Sequence, residues 1–238
     1  MCSIIGYYGN SGAAPIIVNG LKRMEYRGYD SVGVATGSNN QIGLKKGVGK
    51  VDEVNSKVQL KELPGKVGIG HTRWATHGKV TTTNAHPHPS NSGKIAIVHN
   101  GIIENFEELK KELEIEGYIF KSETDSEVIV NLLQKNYEST NNVKDAVMKT
   151  ISVIKGHYSF IAIFENGQLA AARFHEPLII GVKENNFFLS SDVLGFIEYT
   201  DNAIYVENGN FVILEKDDLQ IFDFKGNNAE YEITKVSK

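Results

Sequence analysis

Hydrophobic residues in the first hundred positions follow two periods, one typical of strands and one typical of helices. Apolar residues at positions 16, 17, 21 and 24 lie on one face of a helix predicted over residues 13–24, and residues 51–60 carry a weaker helical pattern. β-Rich or continuously apolar runs predict strands at 3–8, 32–36, 41–46, 67–71 and 94–99. A polar stretch rich in Gly, Pro, Thr and His occupies residues 72–93, and a loop of that length in a compact domain is usually functional or disordered.

The rest of the chain predicts a block of helices followed by strands. Asn105 and Thr124 are positioned to cap two helices, with Glu127 completing a capping box at the second, and a third helix covers 143–154. Strands follow at 159–164, 168–173, 178–182, 186–190, 211–214 and 219–224, with hairpin turns expected at positions 166–167 and 208–209. Strands, helices and strands again predict an α+β fold, and the many strands favour two stacked, mainly antiparallel sheets with helices outside.

Composition excludes several classes of protein. The net charge is only −4, which provides no basic surface for nucleic acid or an anionic membrane. No apolar run is long enough for a membrane-spanning helix, and the N-terminus lacks the pattern of a signal peptide. The single cysteine rules out an intramolecular disulfide, which fits a cytoplasmic protein. No repeat or linker is visible, so residues 1–238 are expected to form one domain.

The single cysteine is the second residue, Cys2. If the initiator methionine is removed, this residue carries both a thiol and a free α-amine, whose ordinary pKa of about 7.7–8.0 lies near neutrality. Nucleophile and general base then belong to one residue. The alternative is a buried, inert thiol at the start of an edge strand.

Four segments together resemble the glutaminase domain of the glutamine–fructose-6-phosphate aminotransferases, which are class II glutamine amidotransferases with the N-terminal nucleophile hydrolase fold. They are residues 2–6 (CSIIG), 71–78 (HTRWATHG), 99–105 (HNGIIEN) and 122–127 (SETDSE). Residues 26–31 (YRGYDS), 84–89 (NAHPHP), 191–192 (SD) and 198–200 (EYT) match the same family, so the resemblance runs from residue 1 to about residue 215. It implies a four-layer αββα sandwich.

The resemblance also implies a reaction. Cys2 would attack the side-chain carboxamide of L-glutamine and form a γ-glutamyl thioester, with its own α-amine accepting the thiol proton. Asn100 and Gly101 match the residues that bind the oxyanion, where one donor is worth about 2.7–4 kcal/mol in the barrier. From the dipeptide alone, an ordinary type I′ turn is the alternative interpretation.

The remaining assignments concern the two charged ends of glutamine. Arg73 matches the residue that binds the α-carboxylate, and Thr76 and His77 match residues around it. Asp125 matches the residue that binds the α-ammonium. A solvated loop arginine and an acid that stabilises the first turn of a helix are the alternatives for Arg73 and Asp125.

Trp74, the only tryptophan, matches a residue that covers the glutamine pocket and gates the passage of ammonia, although a lone tryptophan is usually a packing residue. Gly70 and Gly78 flank this segment and could act as hinges of a lid. His86 and His88 suggest zinc, but a structural zinc site needs four ligands, so no metal and no cofactor are expected. His71 and His99 end apolar strands and are interpreted as satisfied core histidines.

The chain differs from the family in two respects. Ser3 stands where glycine usually follows the nucleophile, and a small polar residue should be tolerated. The family continues into sugar-phosphate isomerase domains that bind fructose 6-phosphate and use the ammonia, and that form a homodimer in the full enzyme; none is visible in these 238 residues. An amidophosphoribosyltransferase-type glutaminase and a non-catalytic glutamine sensor are the alternative functions.

Overall fold

The computed structural model describes residues 2–74 and 78–236. Its helices are Ala13–Arg23 (α1), Val51–Val58 (α2), Phe106–Ile115 (α3), Ser126–Thr140 (α4) and Val143–Ile151 (α5). Its strands are Ser3–Tyr8 (β1), Ser31–Ser38 (β2), Gln41–Val48 (β3), Val67–Arg73 (β4), His88–Pro89 (β5), Ile95–Ile103 (β6), Gly156–Phe164 (β7), Leu169–Phe174 (β8), Ile179–Lys183 (β9), Asn186–Ser190 (β10), Asn202–Tyr205 (β11), Asn210–Glu215 (β12), Asp218–Asp223 (β13) and Thr234–Lys235 (β14).

These strands form two antiparallel sheets. One has eight strands in the order β14-β11-β9-β10-β1-β4-β2-β3, and the other has six in the order β13-β12-β8-β7-β6-β5. Strand β1 therefore lies inside its sheet, paired with β4 on one side and β10 on the other. Strand β6 pairs along its whole length with β7. The N-terminus of the chain is thus fixed by strands from distant parts of the sequence.

The core has three layers of apolar side chains. Strand β6 shows why its sequence is continuously apolar: Ala96 and Val98 point into the space between the sheets, whereas Ile95 and Ile97 face the helices. Successive side chains of a strand point to opposite faces, so a strand buried on both sides needs an uninterrupted apolar run.

Helices cover the outer face of each sheet. Helices α1 and α2 pack on the eight-stranded sheet, and α3, α4 and α5 pack on the six-stranded sheet. The predicted α+β, four-layer αββα sandwich is confirmed. Among the helices of the described residues, α4 is the longest with 15 residues, and none combines the length and apolar character that a membrane crossing requires.

Three short strands were not predicted, and one predicted turn is wrong. Strands β5, β11 and β14 have two, four and two residues, too few to show a period. The turn at positions 166–167 joins β7 to β8 in a hairpin, as expected. Positions 208–209 instead lie between β11 and β12, which belong to different sheets, so they form no hairpin.

Asn105 occupies the N-cap position of α3 as predicted, but the predicted capping side chains hydrogen-bond to other partners. The Asn105 amide accepts a hydrogen bond from the N–H of Lys155 at 2.8 Å rather than from its own helix. The Glu127 carboxylate accepts from the N–H of Ser122 at 2.7 Å, and Thr124 caps nothing because α4 begins later.

Gly70 is not a hinge. It lies in the middle of β4, and a Cβ there would come within 2.4 Å of the Ile17 side chain of α1. Glycine is required at this position because the helix packs closely on the strand. Gly78 has a φ of +75°, and residues 75–77 before it are outside the described residues.

Four histidines are buried where β4, β5 and β6 meet: His71, His86, His88 and His99. The ring of His71 stacks on that of His86 with centroids 4.1 Å apart, and its Nε2–H donates to the carbonyl of His99 at 3.1 Å. Burial lowers the pKa of all four, that of His71 to about 3, so all are neutral at pH 7.

His71 and His99 are core histidines, as expected, but only half satisfied. Nδ1 of His71 and Nε2 of His99 have no hydrogen-bond partner among the described residues. Within the same residues, no group of three or more His, Cys, Asp or Glu side chains is arranged to hold a metal ion.

We expect the protein to lose stability in mild acid because of these histidines. The pKa of His71 is about 3 when folded and 6.5 in a model peptide, so the unfolded chain takes up the proton first as the pH falls. This contribution to stability is complete above pH 6.5 and disappears progressively toward pH 3. Asparagine at position 71 keeps a donor without titrating. Between pH 7 and pH 5 the wild type should lose about 2 kcal/mol of unfolding free energy relative to His71→Asn.

Denaturant unfolding of both proteins at several pH values measures this difference. A difference that stays constant from pH 7 to pH 5 would contradict a neutral, buried His71.

Candidate active site

The first residues of β1 are fixed by hydrogen bonds to the residues that directly follow β10 and α1. The N–H of Ile4 donates to Oγ of Ser191 at 3.2 Å, and the N–H of Ser191 donates back to the carbonyl of Ile4 at 3.1 Å. Ser3 is buried, and its hydroxyl donates to the carbonyl of Met24 at 3.3 Å. The serine at position 3 is therefore accommodated, as expected, and Cys2 projects from a rigid strand.

The thiol of Cys2 lies against the main chain at the end of β4. The N–H of Trp74 donates to its sulfur at 3.3 Å, and the sulfur lies 3.5 Å from the carbonyl of the same residue. Burial raises the pKa of the thiol, and the hydrogen bond from Trp74 opposes this shift. The alternative of an inert thiol on an edge strand is wrong in its location, because β1 is an interior strand.

Asn100 is adjacent to Cys2. Its Nδ2 donates to the carbonyl oxygen of Cys2 at 3.1 Å. The alternative interpretation, a type I′ turn, is wrong: Asn100 and Gly101 lie inside β6, paired with Ser159 and Tyr158 of β7. Gly101 has a φ of +117°, and a Cβ there would come within 2.0 Å of a β7 carbonyl oxygen, so only glycine fits.

Arg73 is the last residue of β4 and is only 5% exposed. Its Nη1 donates to the carbonyl of Lys79 at 3.2 Å. The alternative of a solvated loop arginine is therefore wrong. A buried guanidinium at a cavity wall is a strong partner for a carboxylate.

Asp125 directly precedes α4 but does not cap it. Its Oδ2 accepts a hydrogen bond from the N–H of Ile103 at 2.7 Å, across to the end of β6. The alternative role as an acid that stabilises its own helix end has no hydrogen bond to support it. The carboxylate is instead fixed next to the strand that carries Asn100.

These side chains surround one cavity of about 350 Å³, a volume typical of small-molecule sites. Six predicted site residues line it: Cys2, Arg73, Trp74, Asn100, Gly101 and Asp125. The other two, Thr76 and His77, lie outside the described residues. A cleft of about 420 Å³ beside β11 and the C-terminal segment has none of the predicted residues in its lining.

Trp74 stands at the mouth of this cavity. Its side chain is 43% exposed and meets the Tyr29 ring edge-on, with centroids 5.6 Å apart. It is therefore not a core packing residue. Gly28 allows this approach, because a Cβ there would lie 2.9 Å from the amide nitrogen of Trp74.

Sequence reasoning assigned no role to several residues that shape the site. Glu123 and Ser126 line the cavity, and Ser126 Oγ lies 2.8 Å from His99 Nδ1. Arg27 pairs with Asp192 at 3.0 Å, which joins the segment before β2 to the segment after β10. All of them lie in the segments that resemble the family, and that position is the only feature of the sequence that could have indicated a role for them.

Sequence comparison agrees with this geometry. Residues 71–197 match the glutamine amidotransferase domain family. The glutamine–fructose-6-phosphate aminotransferase [isomerizing] of Pyrococcus horikoshii is 48% identical over 94% of this chain, and that of Methanothermobacter thermautotrophicus is 46% identical over 99%. The chain spans only 38% and 40% of the lengths of these two relatives.

Solved structures give the same answer. The glutamine phosphoribosylpyrophosphate amidotransferase of B. subtilis superposes with a TM-score of 0.82 and 28% identity, over 95% of this chain and 50% of that one. A glutamine aminotransferase class-II domain protein of Silicibacter pomeroyi, 17% identical over 94% of this chain and 99% of that one, shares the fold with a TM-score of 0.63. The chain belongs to the glutamine amidotransferase domain family, and it is similar to the N-terminal nucleophile type of glutaminase domain.

Proposed function

We propose that this chain hydrolyses L-glutamine to glutamate and ammonia through a γ-glutamyl thioester on Cys2. One observation supports this above all: a thiol, an amide donor, a buried guanidinium and a carboxylate line the same cavity. The first two suit the reacting carboxamide, and the last two suit the charged ends of a free amino acid. No metal or cofactor is needed for these steps.

The substrate is oriented by its zwitterion. Arg73 binds the α-carboxylate through its guanidinium fork, and Asp125 binds the α-ammonium. Both side chains are already fixed by main-chain hydrogen bonds, Arg73 to Lys79 and Asp125 to Ile103. Thr76 and His77 are proposed to complete the carboxylate site. The side-chain carboxamide then extends toward the sulfur of Cys2.

The nucleophile needs a base. Because burial raises the pKa of the Cys2 thiol, the thiol is protonated at pH 7. Removal of Met1 frees the α-amine of the same residue, which accepts the thiol proton and later gives it to the departing ammonia. Attack of sulfur on the carboxamide carbon forms the tetrahedral intermediate, and loss of ammonia leaves the thioester. Water then releases glutamate and restores the thiol.

The oxyanion of the intermediate is stabilised beside Cys2. Nδ2 of Asn100 already lies 3.1 Å from the Cys2 carbonyl, so a small rotation of the side chain brings it to the new oxyanion. The main chain at Gly101 supplies the second donor. Donors fixed before the reaction cost little reorganisation when charge develops.

The fate of the ammonia is inferred from the relatives. Because they are more than twice as long as this chain, we propose that a sugar-phosphate isomerase domain or subunit that binds fructose 6-phosphate receives the ammonia. Trp74, exposed at the mouth, would gate its passage. We also propose a homodimer in the full enzyme and a cytoplasmic location. Phosphoribosylpyrophosphate is favoured less as the acceptor, because the phosphoribosylpyrophosphate amidotransferase is only 28% identical to this chain.

The Cys2→Ala variant should release no ammonia from glutamine. Wild-type protein should release it, with intact mass spectrometry showing that Met1 has been removed. Ammonia release by the alanine variant, or full activity of a wild-type sample that retains Met1, would contradict the proposed nucleophile and base. A wild type that binds glutamine without releasing glutamate would be a sensor instead.

The Asn100→Ala variant should lose about 100- to 1,000-fold in kcat, the usual effect of removing one oxyanion donor. KM should change little, because the donor acts on charge that develops in the transition state. Steady-state glutaminase kinetics measure both constants. A kcat within about threefold of the wild type would exclude Asn100 from oxyanion binding.

The Asp125→Asn variant should raise the KM for glutamine at least about tenfold, because the α-ammonium loses its charged partner. Asparagine keeps the shape and can still accept from Ile103. Iodoacetamide should alkylate Cys2 at an unchanged rate, since this reagent has no ammonium group. An unchanged KM would show that Asp125 only orders the chain before α4.

A further inference from the structure

Lys46 of β3 has an unusual environment. Its ammonium donates to three main-chain carbonyls of one segment: Ala85 at 2.5 Å, Pro87 at 3.1 Å and Thr83 at 3.4 Å. Among the described residues, no carboxylate lies within ion-pair distance of it. Each carbonyl is a strong acceptor, so the cation binds residues 83–87 as a unit.

This segment lies directly on the strand next to β3. Gly33 of β2 is the register partner of Lys46, and a Cβ at Gly33 would come within 2.1 Å of the carbonyl oxygen of His86. The segment therefore fits only over a glycine, where the lysine beside it can reach the carbonyls. Burial lowers the pKa of Lys46 to about 8, so it is largely charged at pH 7.

Asn84 connects the segment to the residues before α4. Its Nδ2 donates to Oε2 of Glu123 at 2.9 Å and to the carbonyl of Lys79 at 3.0 Å. Its Oδ1 accepts from the N–H of Glu123 at 2.9 Å. Asn84 itself is only 2% exposed, so its amide is buried at one end of these bonds and is held in one orientation by them.

Arg73 and Asp125, the two charged residues of the proposed site, are both connected to this network. The carbonyl of Lys79 that accepts from Asn84 also accepts from Nη1 of Arg73, and the N–H of Lys79 donates to Glu123 at 3.2 Å. Glu123 is two residues before Asp125. A shift of the 83–87 segment would therefore displace the carboxylate-binding and the ammonium-binding residue together.

The reacting end of the cavity is fixed by other contacts. Cys2 is positioned by β1, which pairs with β4 and β10, and Asn100 is positioned by the β6–β7 pairing. Loss of Lys46 should therefore weaken the binding of the amino acid end without disabling the thiol.

We propose that Lys46 is a positioning residue: it binds the main chain of residues 83–87 and, through Asn84, fixes Arg73 and Asp125 at the spacing of a free α-amino acid. This inference rests on the proposed glutamine site. Lys46 touches neither the substrate nor the thiol in this arrangement, and acts only through the segment it binds.

Lys46→Met keeps the length of the side chain and removes its donors, and Lys45→Met is the matched control. Lys45 is the preceding residue of the same strand and donates outward to the carbonyl of Gln59 at 3.0 Å. Each is combined with Cys2→Ala, and the Kd for L-glutamine is measured by calorimetry. Lys46→Met should weaken binding at least about tenfold, and Lys45→Met less than about twofold.

Steady-state kinetics of the active enzyme, which retains Cys2, distinguish a positioning role of Lys46 from a general loss of structure. Lys46→Met should raise KM at least about tenfold and leave kcat within about threefold. Iodoacetamide should alkylate Cys2 within about twofold of the wild-type rate. Lys46→Arg keeps the cation, and it should recover at least part of the affinity. This variant provides the comparison if the methionine variant fails to fold in a thermal unfolding scan.

The outcomes separate the two claims. Absence of glutamine turnover by wild-type protein without Met1 would refute the proposed hydrolysis, while the calorimetric comparison would still test Lys46. Equal Kd values for Lys46→Met and Lys45→Met would overturn the positioning role even in an active enzyme. If Lys46→Met does not fold, a Lys46→Arg variant that folds yet binds glutamine no better than Asp125→Asn would overturn it as well.

Discussion

The constraint on which this site depends is the immobilisation of a chain terminus. Terminal residues are usually poorly ordered, yet the nucleophile that we propose at position 2 must be fixed to a fraction of an ångström. This chain meets the requirement by placing β1 inside the eight-stranded sheet, where it pairs along its whole length with β4 and from Ile5 onward with β10. The side chain of Ser191 adds a hydrogen bond to the N–H of Ile4. Cys2 then needs only the contacts from Trp74 and Asn100 to lie at one defined point.

The same sheet arrangement explains the polar interior next to the site. Four neutral histidines and a lysine that binds carbonyls are buried there, and two of the histidines, His86 and His88, come from the segment that the sequence predicts as a long loop. Buried polar groups define one arrangement because each unpaired group costs free energy. Lys46 thereby holds the main chain of residues 83–87, although these residues have no strand pairing of their own. In the proposed site, strands alone support the reacting end, whereas the ends of β4 and β6 and this polar network together support the recognition end.

The sequence-based predictions fail where partners other than the predicted one take up a hydrogen-bonding group or a packing position. Asn105 and Glu127 have the right spacing for helix caps, but their side chains bond to main chain elsewhere. Asn100 and Gly101 have the composition of a turn, yet β7 pairs with them and extends β6 by four residues beyond the prediction. Gly70 resembles a hinge in the sequence and is instead a contact point for α1. Local propensity is a weak prior that tertiary context overrides.

By itself, the sequence determined the layers of the fold and the chemical groups of the site. Apolar periodicity distinguishes strands buried on two faces from helices buried on one, and the motifs name the thiol, amide, guanidinium and carboxylate. Only the tertiary structure decided that these groups share one cavity, since their elements are brought together by pairings that span most of the chain. Only the tertiary structure identified the partners of Lys46. Nothing in the sequence of this strand indicates that its lysine binds three carbonyls some forty residues away. Hydrogen bonds depend on distance in space, and spacing along the chain does not encode that distance.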